Sequence, residues 1–410
     1  MRNSRAMADS IFIRTLRDGS WLNASRLRVY PWILLAGYLL AAVLYIGSSH
    51  GLIDANGKPL GPDFINVYAA GEMAREGHAS QVYDWPTHHH AEQAIFAGRD
   101  IPYYGWHYPP LFLLIALPLA ALPYVWSLLF YLAATLAAYA AALWRIVKPD
   151  RTALLLALAF PAVFVNAFHG QNGFLTTALL GGGLLLLDRR PWIAGILLGC
   201  LAYKPQLAAL ALLMPLITLR WRVVASAAVT IAVLALLTLA LFGVETWQAF
   251  FASGTLTRAI VLESGSTGWE KIQGVFAGVR MLGGPVMLAY ALQGVIAIAA
   301  IAATVWAWRS KVPYTLQCAV LCLATPLITP YILDYDLVLL ALPIAWIALE
   351  GRTNGFLPWE KTTLFLLWIL PLVSRGIGAA THIPLGPLVL GLGFVMAVKH
   401  ARVSLTSRAQ

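Results

Sequence analysis

The chain alternates apolar runs with short polar connections over almost its entire length. Many of the runs approach the roughly 20 apolar residues that a helix needs to cross the hydrocarbon core of a bilayer. Because the runs are continuous rather than alternating, they disfavour a membrane β-barrel. The pattern predicts one all-α polytopic membrane domain, residues 1–410, with about 12 spans. The approximate spans are 31–48, 124–146, 152–168, 173–187, 191–203, 205–219, 223–243, 285–308, 314–330, 335–349, 362–378 and 384–398.

One apolar run, PPLFLLIALPLAALP from Pro109 to Pro123, does not fit as a span. It has proline at both ends and Pro118 inside, and proline interrupts helices. Counting it as a crossing would also invert the sidedness of every later loop. We therefore predict a re-entrant or interfacial segment, a backbone arrangement tolerated where protein buries it or water lines it.

Charge fixes the predicted orientation. With the N-terminus in the cytoplasm, the cytoplasmic segments hold 20 of the 28 Lys and Arg but only 6 of the 18 acids. This asymmetry follows the positive-inside rule and places both termini in the cytoplasm. It also accounts for most of the net charge of +10, so no nucleic-acid partner is needed. The outer side then carries two large loops, 49–108 with an amphipathic helix and 244–284, together with eight of the nine histidines.

The stretch GPDFINVYAAG places one carboxylate, Asp63, at the expected outer edge of the membrane. Apolar residues at helical spacing follow it, so Asp63 stands at the predicted start of the amphipathic helix. Two interpretations are open. Asp63 caps the helix, since Asp at this position satisfies unpaired N–H groups, or it is a catalytic base held at the interface.

Lys204 in LAYKPQ lies at the outer end of two short apolar segments. A lysine among apolar neighbours either extends to the headgroups or pairs with an anion. Because the outer side is otherwise poor in bases, we favour phosphate binding. Gln206 could add a hydrogen bond.

Two outer turns carry further candidates. In HGQNG, residues 169–173, His169 and Gln171 are either ordinary turn residues or contacts for phosphate and sugar, whereas Asn172 is better explained by the turn alone. In TPYILDYD, residues 329–336, Asp334 caps the next helix, and Asp336 lies one turn inside the membrane boundary. An acid at that depth suggests function, although structural pairing with Lys204 or Arg258 is favoured.

Other polar features are weaker signals. Consecutive residues on a helix point in different directions, so HHH at 88–90 makes a poor metal site. His107 in WHYPP either reaches the site or binds a headgroup, and the latter is slightly favoured. Arg258, with Lys271 and Arg280, gives the second outer loop a positive charge that could meet phosphate or lipid headgroups.

Several motifs together resemble glycosyltransferase family 87. They are PDFINVYAAG, HYPPLFLLIALPLAALP, HGQNGFLTTALLGGGLLLLDRRPWIAGILLGCLAYKPQ and TPYILDYDL, spread over about residues 60 to 350. The family comprises integral membrane enzymes of the C-type superfamily, related to polyprenol-phosphate-mannose-dependent mannosyltransferases. The resemblance implies sugar transfer on the outer face, with an acid of the first outer loop, Asp63 by position, as base. Many members carry two adjacent acids there; this chain has one, after Pro62, which argues against a bound divalent metal.

This chemistry suits a single acid. A glycosidase needs a second carboxyl to protonate its leaving group, whereas a polyprenyl phosphate leaves as a stable anion and needs only cations and dipoles around it. We expect inversion, an acceptor hydroxyl on a lipid or glycan, and no metal or cofactor. The expected phosphate contacts are Lys204, Arg258, His169 and Gln171, and the expected sugar or acceptor contacts are Gln206, Tyr331, Asp336 and His107.

The rival interpretation is a transporter or flippase for a lipid-linked sugar or solute. Transporters place polar residues near the middle of broken helices, whereas here the polar residues gather at one face. A membrane scaffold without activity would need neither Asp63 nor Lys204 there. We therefore predict an enzyme of the bacterial inner membrane with its active site on the periplasmic side, and a lipid-facing groove for the polyprenol near residues 109–123.

Overall fold

The computed structural model describes residues 11–407, and regular structure within this range is helical. The described residues contain isolated β-bridges, such as Ile272 with Leu333, but no β-strand. Residues 11–18 are helical. The α-helices that follow are α1 (Ala24–Gly47), α2 (Phe64–Arg75), α3 (Trp85–Ile95), α4 (Leu113–Leu119), α5 (Tyr124–Val147), α6 (Arg151–Leu158), α7 (Pro161–His169), α8 (Gly173–Leu186), α9 (Pro191–Cys200), α10 (Pro205–Ile217), α11 (Trp221–Thr257), α12 (Val275–Met281), α13 (Val286–Arg309), α14 (Tyr314–Ile328), α15 (Ala341–Asn354), α16 (Glu360–Thr381) and α17 (Leu385–Ser407). Shorter turns of 3₁₀-helix are Ala79–Tyr83, Pro110–Phe112, Leu201–Tyr203, Trp269–Lys271 and Asp334–Leu340, and Arg258–Glu263 is a π-helical turn.

Six helices in the described range, α1, α5, α11, α13, α16 and α17, are long and apolar enough to cross a membrane. The pair α6 and α7, bent by 43°, makes a seventh if it counts as one span. Each of the twelve predicted spans coincides with helical structure, but α8, α9, α10 and α14 are shorter apolar helices. Pro191 begins α9, and Pro205 begins α10 and separates it from α9 within one apolar stretch.

The surfaces of the long helices are apolar where they are exposed. Leu39 on α1 is 67% exposed, Leu236 on α11 is 66% exposed and Ile298 on α13 is 70% exposed. Contiguous apolar surface of this kind is unfavourable in water. The helices therefore belong to a multi-pass membrane protein.

The run from Pro109 to Pro123 forms the 3₁₀ turn Pro110–Phe112 and the seven-residue helix α4. At about 1.5 Å per residue, this helical stretch is about half the thickness of the hydrocarbon core. Its length agrees with the prediction that the run is not a continuous crossing. Phe112, Leu113 and Ala116 are completely buried.

The chain forms two compact units. The described part of the first unit comprises residues 11–36, 143–162 and 269–407, and the second unit comprises residues 37–142 and 163–268. The second unit contains Asp63, Gln171 and Lys204, whereas the first contains Tyr331 and Asp336.

Helix α2 lies in the core of the second unit. Nine of its twelve residues are buried, including eight in succession from Phe64 to Gly71, so the unit encloses the helix on more than one face. The rings of Tyr124 and Tyr131 on α5 lie 5.6 Å from that of Phe64. The Tyr124 hydroxyl donates to the Leu60 carbonyl at 2.7 Å. These contacts fix the chain just before and after Asp63.

Helix α4 packs against α2 with almost no space between the backbones. A Cβ added at Gly71 would lie 2.2 Å from the Ala116 carbonyl oxygen. Glycine at position 71 is therefore what allows the close approach of α2 and α4.

Polar side chains join the helices of the first unit. The Gln293 amide on α13 donates to the Leu327 carbonyl at 2.8 Å and accepts from the Phe276 N–H at 3.2 Å. On the buried side of α16, the Glu360 carboxylate lies 2.6 Å from the His400 ring. Such contacts satisfy polar groups that would be costly to bury alone.

Candidate active site

Asp63 is held at the start of α2 by its backbone, while its side chain is directed elsewhere. Its N–H donates to the His169 carbonyl at 2.9 Å. Its side chain makes no capping hydrogen bond to α2; instead Oδ2 accepts from Gln171 Nε2 at 3.1 Å. The capping role is therefore not the one that this carboxylate plays. Asp63 is only partly buried, unlike the residues on either side of it.

Gln171 is the centre of the hydrogen-bond network around Asp63. It is 5% exposed, and its Oε1 accepts from the Tyr108 hydroxyl at 3.1 Å and from the Asn172 N–H at 3.2 Å. Both donors face the oxygen, so the amide nitrogen is the group turned towards Asp63. The amide thus supplies a fixed N–H dipole to one carboxylate oxygen.

The turn that carries Gln171 is shaped by Asn166 and Gly170. The buried Asn166 side chain donates to the Gln171 carbonyl at 3.0 Å and accepts from the Gly173 N–H at 2.8 Å. Gly170 has φ +71°, and a Cβ there would lie 2.6 Å from Phe64 Cβ. Both the backbone conformation and the close contact require glycine. The Asn-Gly and His-Gly signals therefore predicted the turn correctly, although the residue that organises it, Asn166, was missed.

His169 ends α7, and its ring is directed back along its own helix. Nδ1 lies 2.8 Å from the Val165 carbonyl and so carries the proton that it donates there. The His169 backbone carbonyl accepts the hydrogen bond from the Asp63 N–H.

Lys204 lies between the turn Leu201–Tyr203 and α10, and only 4% of its surface is exposed. A side chain this buried does not extend along the lipid surface to the headgroups, so the first of the two interpretations does not fit. Buried charges in proteins are paired with or stabilised by polar partners. The buried position suits a cation that meets an anion inside the protein. Gln206, the second residue of α10, is partly buried.

Tyr203 connects the Lys204 segment to the Asp63 network. Its hydroxyl lies 2.6 Å from Thr176 Oγ1 on α8, and its ring stacks on Phe112 with centroids 4.8 Å apart. The Tyr108 ring lies 6.5 Å from that of Tyr203. The Tyr108 hydroxyl in turn donates to Gln171. Asp63 and the Lys204 segment are therefore linked through side chains of one unit.

The segment 101–108 supplies two site residues that sequence reasoning did not identify. Tyr108 orders Gln171, and the pKa of the Tyr104 hydroxyl is raised by burial and then by the negative charge of Asp63. Their position was the available sequence signal: Tyr108 lies in the WHYPP motif, and Tyr104 lies just before it. His107 lies within hydrogen-bonding distance of Thr257 Oγ1, at 3.2 Å, and burial lowers its pKa to about 4, so the ring is neutral.

Three further predicted contacts lie on other segments of the chain. Arg258 begins the π-helical turn after α11, its side chain is 60% exposed, and it pairs with Glu263 at 3.4 Å. In the first unit, Asp336 accepts from the Leu333 N–H at 3.3 Å. Tyr331 makes a backbone hydrogen bond with Thr329 Oγ1 at 3.2 Å.

Asp334, considered only as a cap, accepts from the Tyr335 N–H at 2.9 Å and lies 3.8 Å from Arg375. Sequence reasoning considered Lys204 and Arg258 as partners for the neighbouring Asp336 but did not consider Arg375, which lies on α16. Within the described range, no group of three or more His, Cys, Asp or Glu residues is arranged to hold a metal ion.

The fold and site define a polytopic helical membrane protein with a partly exposed carboxylate that accepts a hydrogen bond from a buried glutamine. Residues 106–330, more than half of the 410, match glycosyltransferase family 87. The chain belongs to this family, which makes it a membrane glycosyltransferase. The matched region includes Tyr108, Gln171 and Lys204 and begins after Asp63. No curated protein and no solved structure matches the chain.

Proposed function

We propose that the protein transfers a sugar, mannose by the family resemblance, from a polyprenyl-phosphate donor to an acceptor hydroxyl. Asp63 is the general base that removes the hydroxyl proton. The acceptor is a lipid or a glycan, and transfer takes place on the outer face of a bacterial inner membrane. The polyprenol lies in the bilayer beside the segment 109–123, and the overall arrangement is that of the C-type superfamily.

This proposal rests on the exposure and the hydrogen bonding of the Asp63 carboxylate. It is partly exposed, and one oxygen accepts a hydrogen bond from Gln171 Nε2. A base needs a fixed orientation and access to the hydroxyl that it deprotonates. The arrangement supplies both.

The donor chemistry follows from the groups near Asp63. A phosphate leaving group departs as an anion and is stabilised by cations and dipoles. Lys204 is buried on a segment connected to the Asp63 network through Tyr203 and Tyr108. We assign Lys204 to the donor phosphate, and His169, Gln171 and the more exposed Arg258 to supporting contacts. With base and leaving group on opposite faces of the anomeric carbon, the configuration inverts.

The test is a reconstituted transfer assay. Purified protein in liposomes receives radiolabelled mannosyl polyprenyl phosphate and a panel of lipid-linked and soluble glycan acceptors, with a nucleotide sugar as the alternative donor. Asp63→Asn is expected to lower turnover by about 10²–10⁴-fold, the usual contribution of a general base. Glu76→Gln, an exposed acid just after α2, is the matched control and should retain wild-type turnover.

Four outcomes would overturn parts of the proposal. Full turnover by Asp63→Asn removes the base assignment. Transfer from the nucleotide sugar alone removes the polyprenyl donor. Movement of labelled donor lipid between leaflets without any sugar transfer identifies a flippase. Retention of the anomeric configuration in the product, read by NMR, would exclude the single-displacement mechanism.

Sidedness has a separate test. Single cysteines at the exposed positions Glu76 and Arg309 are labelled in intact cells with a membrane-impermeant maleimide, in a background that lacks Cys200, Cys318 and Cys322. The proposed orientation expects labelling at position 76 and none at 309 until the cells are lysed. The reverse pattern would place Asp63 on the cytoplasmic side.

A further inference from the structure

Helix α3 carries an acid and a histidine that the proposed mechanism does not use. His88 and Glu92 are four residues apart on one face of the helix, and both side chains are completely buried. His88 Nε2 lies 3.6 Å from Glu92 Oε1. Among the described residues, neither ring nitrogen of His88 nor Glu92 Oε1 has a hydrogen-bond partner.

The two groups are uncharged near neutral pH. Burial raises the pKa of Glu92 to about 9 and lowers the pKa of His88 to about 3. Their contact is therefore not an ion pair. Besides burial, the negative charge of Asp63 raises the pKa of Glu92, whereas the hydrogen bond from the Tyr104 N–H lowers it. Glu92 thus lies close enough to Asp63 for the two carboxyl groups to interact.

Glu92 also holds the segment that completes the Asp63 network. Its Oε2 accepts from the Tyr104 N–H at 3.1 Å. One turn earlier on α3, His89 Nε2 lies 2.8 Å from the Ile101 carbonyl. Helix α3 therefore contacts the segment 101–108 at two backbone positions, the Tyr104 N–H and the Ile101 carbonyl. The end of the segment is fixed by the Tyr83 hydroxyl, which donates to the Tyr108 carbonyl at 2.9 Å.

We propose that Glu92 is a positioning residue: through the Tyr104 amide it fixes the segment 101–108, whose Tyr108 hydroxyl orders Gln171 against Asp63. The role rests on the proposed function of Asp63 as base. Glu92 acts without touching the substrate, and it acts in its neutral form. An ionised Glu92 would place a buried negative charge near the Asp63 carboxylate, and such a charge is costly without a cation beside it.

Among the described residues, no cation contributes to the pKa of Glu92. The titratable groups that interact with it are His88 on its own helix, Asp63 before α2, Tyr103 and Tyr104 on the segment, and Tyr124 at the start of α5. Of these, His88 is held neutral and the others carry no positive charge. Ionisation would strengthen the bond from the Tyr104 N–H but would leave a buried charge uncompensated, so the segment is expected to open and expose Glu92 to water.

The first experiment compares Glu92→Gln and Glu92→Leu in the transfer assay. Gln keeps an oxygen that accepts from the Tyr104 N–H, so Glu92→Gln is expected to retain most of the wild-type turnover at pH 7. Glu92→Leu should lower kcat by tenfold or more with little change in KM. Wild-type turnover should be about tenfold lower at pH 10 than at pH 8, as Glu92 ionises. Glu92→Gln should lack this alkaline loss.

The second experiment measures hydrogen–deuterium exchange of residues 101–108 and needs no substrate, so it separates failure of this inference from failure of the proposed function. Protection from exchange, measured relative to an unstructured peptide at the same pH, is expected to fall in Glu92→Leu at every pH and in wild type above about pH 9. This protection should be retained in Glu92→Gln. Unchanged exchange in Glu92→Leu, unchanged kcat in a folded Glu92→Leu, or the same alkaline loss in Glu92→Gln would each overturn the proposal.

Discussion

Gly71→Ala tests how tightly the site depends on the contact between α2 and α4. The added Cβ would lie 2.2 Å from the Ala116 carbonyl oxygen and 2.8 Å from the Ala120 Cβ, whereas real Cβ atoms essentially never approach a neighbour within 3.0 Å. Because the nearest atom belongs to the backbone of α4, no side chain can rotate away. The two helices must separate by about 1 Å to accept the methyl group.

The expected loss of stability in Gly71→Ala follows from two opposing effects. Overpacking of this kind costs about 1–3 kcal/mol, and a backbone clash belongs at the upper end. Replacing a helical glycine by alanine recovers about 0.5–1 kcal/mol. The net destabilisation is therefore about 2 kcal/mol. At about 2–4 °C per kcal/mol for a unit of this size, the unfolding midpoint should fall by about 4–8 °C.

The assay is thermal unfolding in detergent, read by intrinsic fluorescence, together with turnover in liposomes. Gly254→Ala is the matched control, because Gly254 is an exposed helical glycine of the same unit with no atom within 4 Å of the added Cβ. It should leave the midpoint unchanged or raise it slightly. Turnover of Gly71→Ala should fall, since α2 begins directly after Asp63. A Gly71→Ala protein as stable and active as Gly254→Ala would refute the close packing.

Three further outcomes are expected. Gly170→Ala combines φ +71° with a Cβ 2.6 Å from Phe64 Cβ, so unfolding in detergent should show a loss of about 1–3 kcal/mol and the assay should show lower turnover. Glu92 has a pKa raised by burial to about 9, so its contribution to stability is complete below about pH 4.5 and disappears as the pH rises through 9. Between pH 6 and 9 wild type should lose about 4 kcal/mol relative to Glu92→Gln, as compared by denaturation at each pH. Arg375→Gln should cost less than about 1 kcal/mol by thermal unfolding, because Arg375 is 41% exposed and lies 3.8 Å from Asp334.

The helical class and the approximate positions of the apolar helices could be predicted from apolar runs, but the number of crossings could not. Apolar residues make a segment compatible both with lipid and with a protein interior. Helix α14 illustrates this ambiguity: eleven of its fifteen residues are buried in the structure. Only the packing around a short helix distinguishes the two environments.

The site was partly accessible from sequence. The turn at Gln171 and the prominence of Asp63 were visible as local signals. The contact between them joins residues 108 positions apart, and neither local propensity nor charge specifies such a pair. Whether the Asp63 side chain caps α2 depended on where it points, which only the fold determines.

The buried pair on α3 carried a signal that was overlooked. His88 and Glu92 stand at i and i+4, the spacing that places two side chains on one helix face. The run of three histidines drew attention to metal binding instead. In the structure the three differ: His88 is buried, His89 contacts the Ile101 carbonyl, and His90 is exposed. Burial of an acid cannot be inferred from its spacing, because the same spacing also suits an exposed pair.

The orientation of the Gln171 amide gives the network a direction for protons. The Tyr108 O–H points to Gln171 Oε1, and the Gln171 N–H points to Asp63 Oδ2. An amide nitrogen that already holds two hydrogens accepts no third. In the proposed mechanism, a proton captured by Asp63 therefore has no exit through Gln171 and Tyr108. It would leave the carboxyl group to water, so the proposed cycle ends with proton release at the open side of the site.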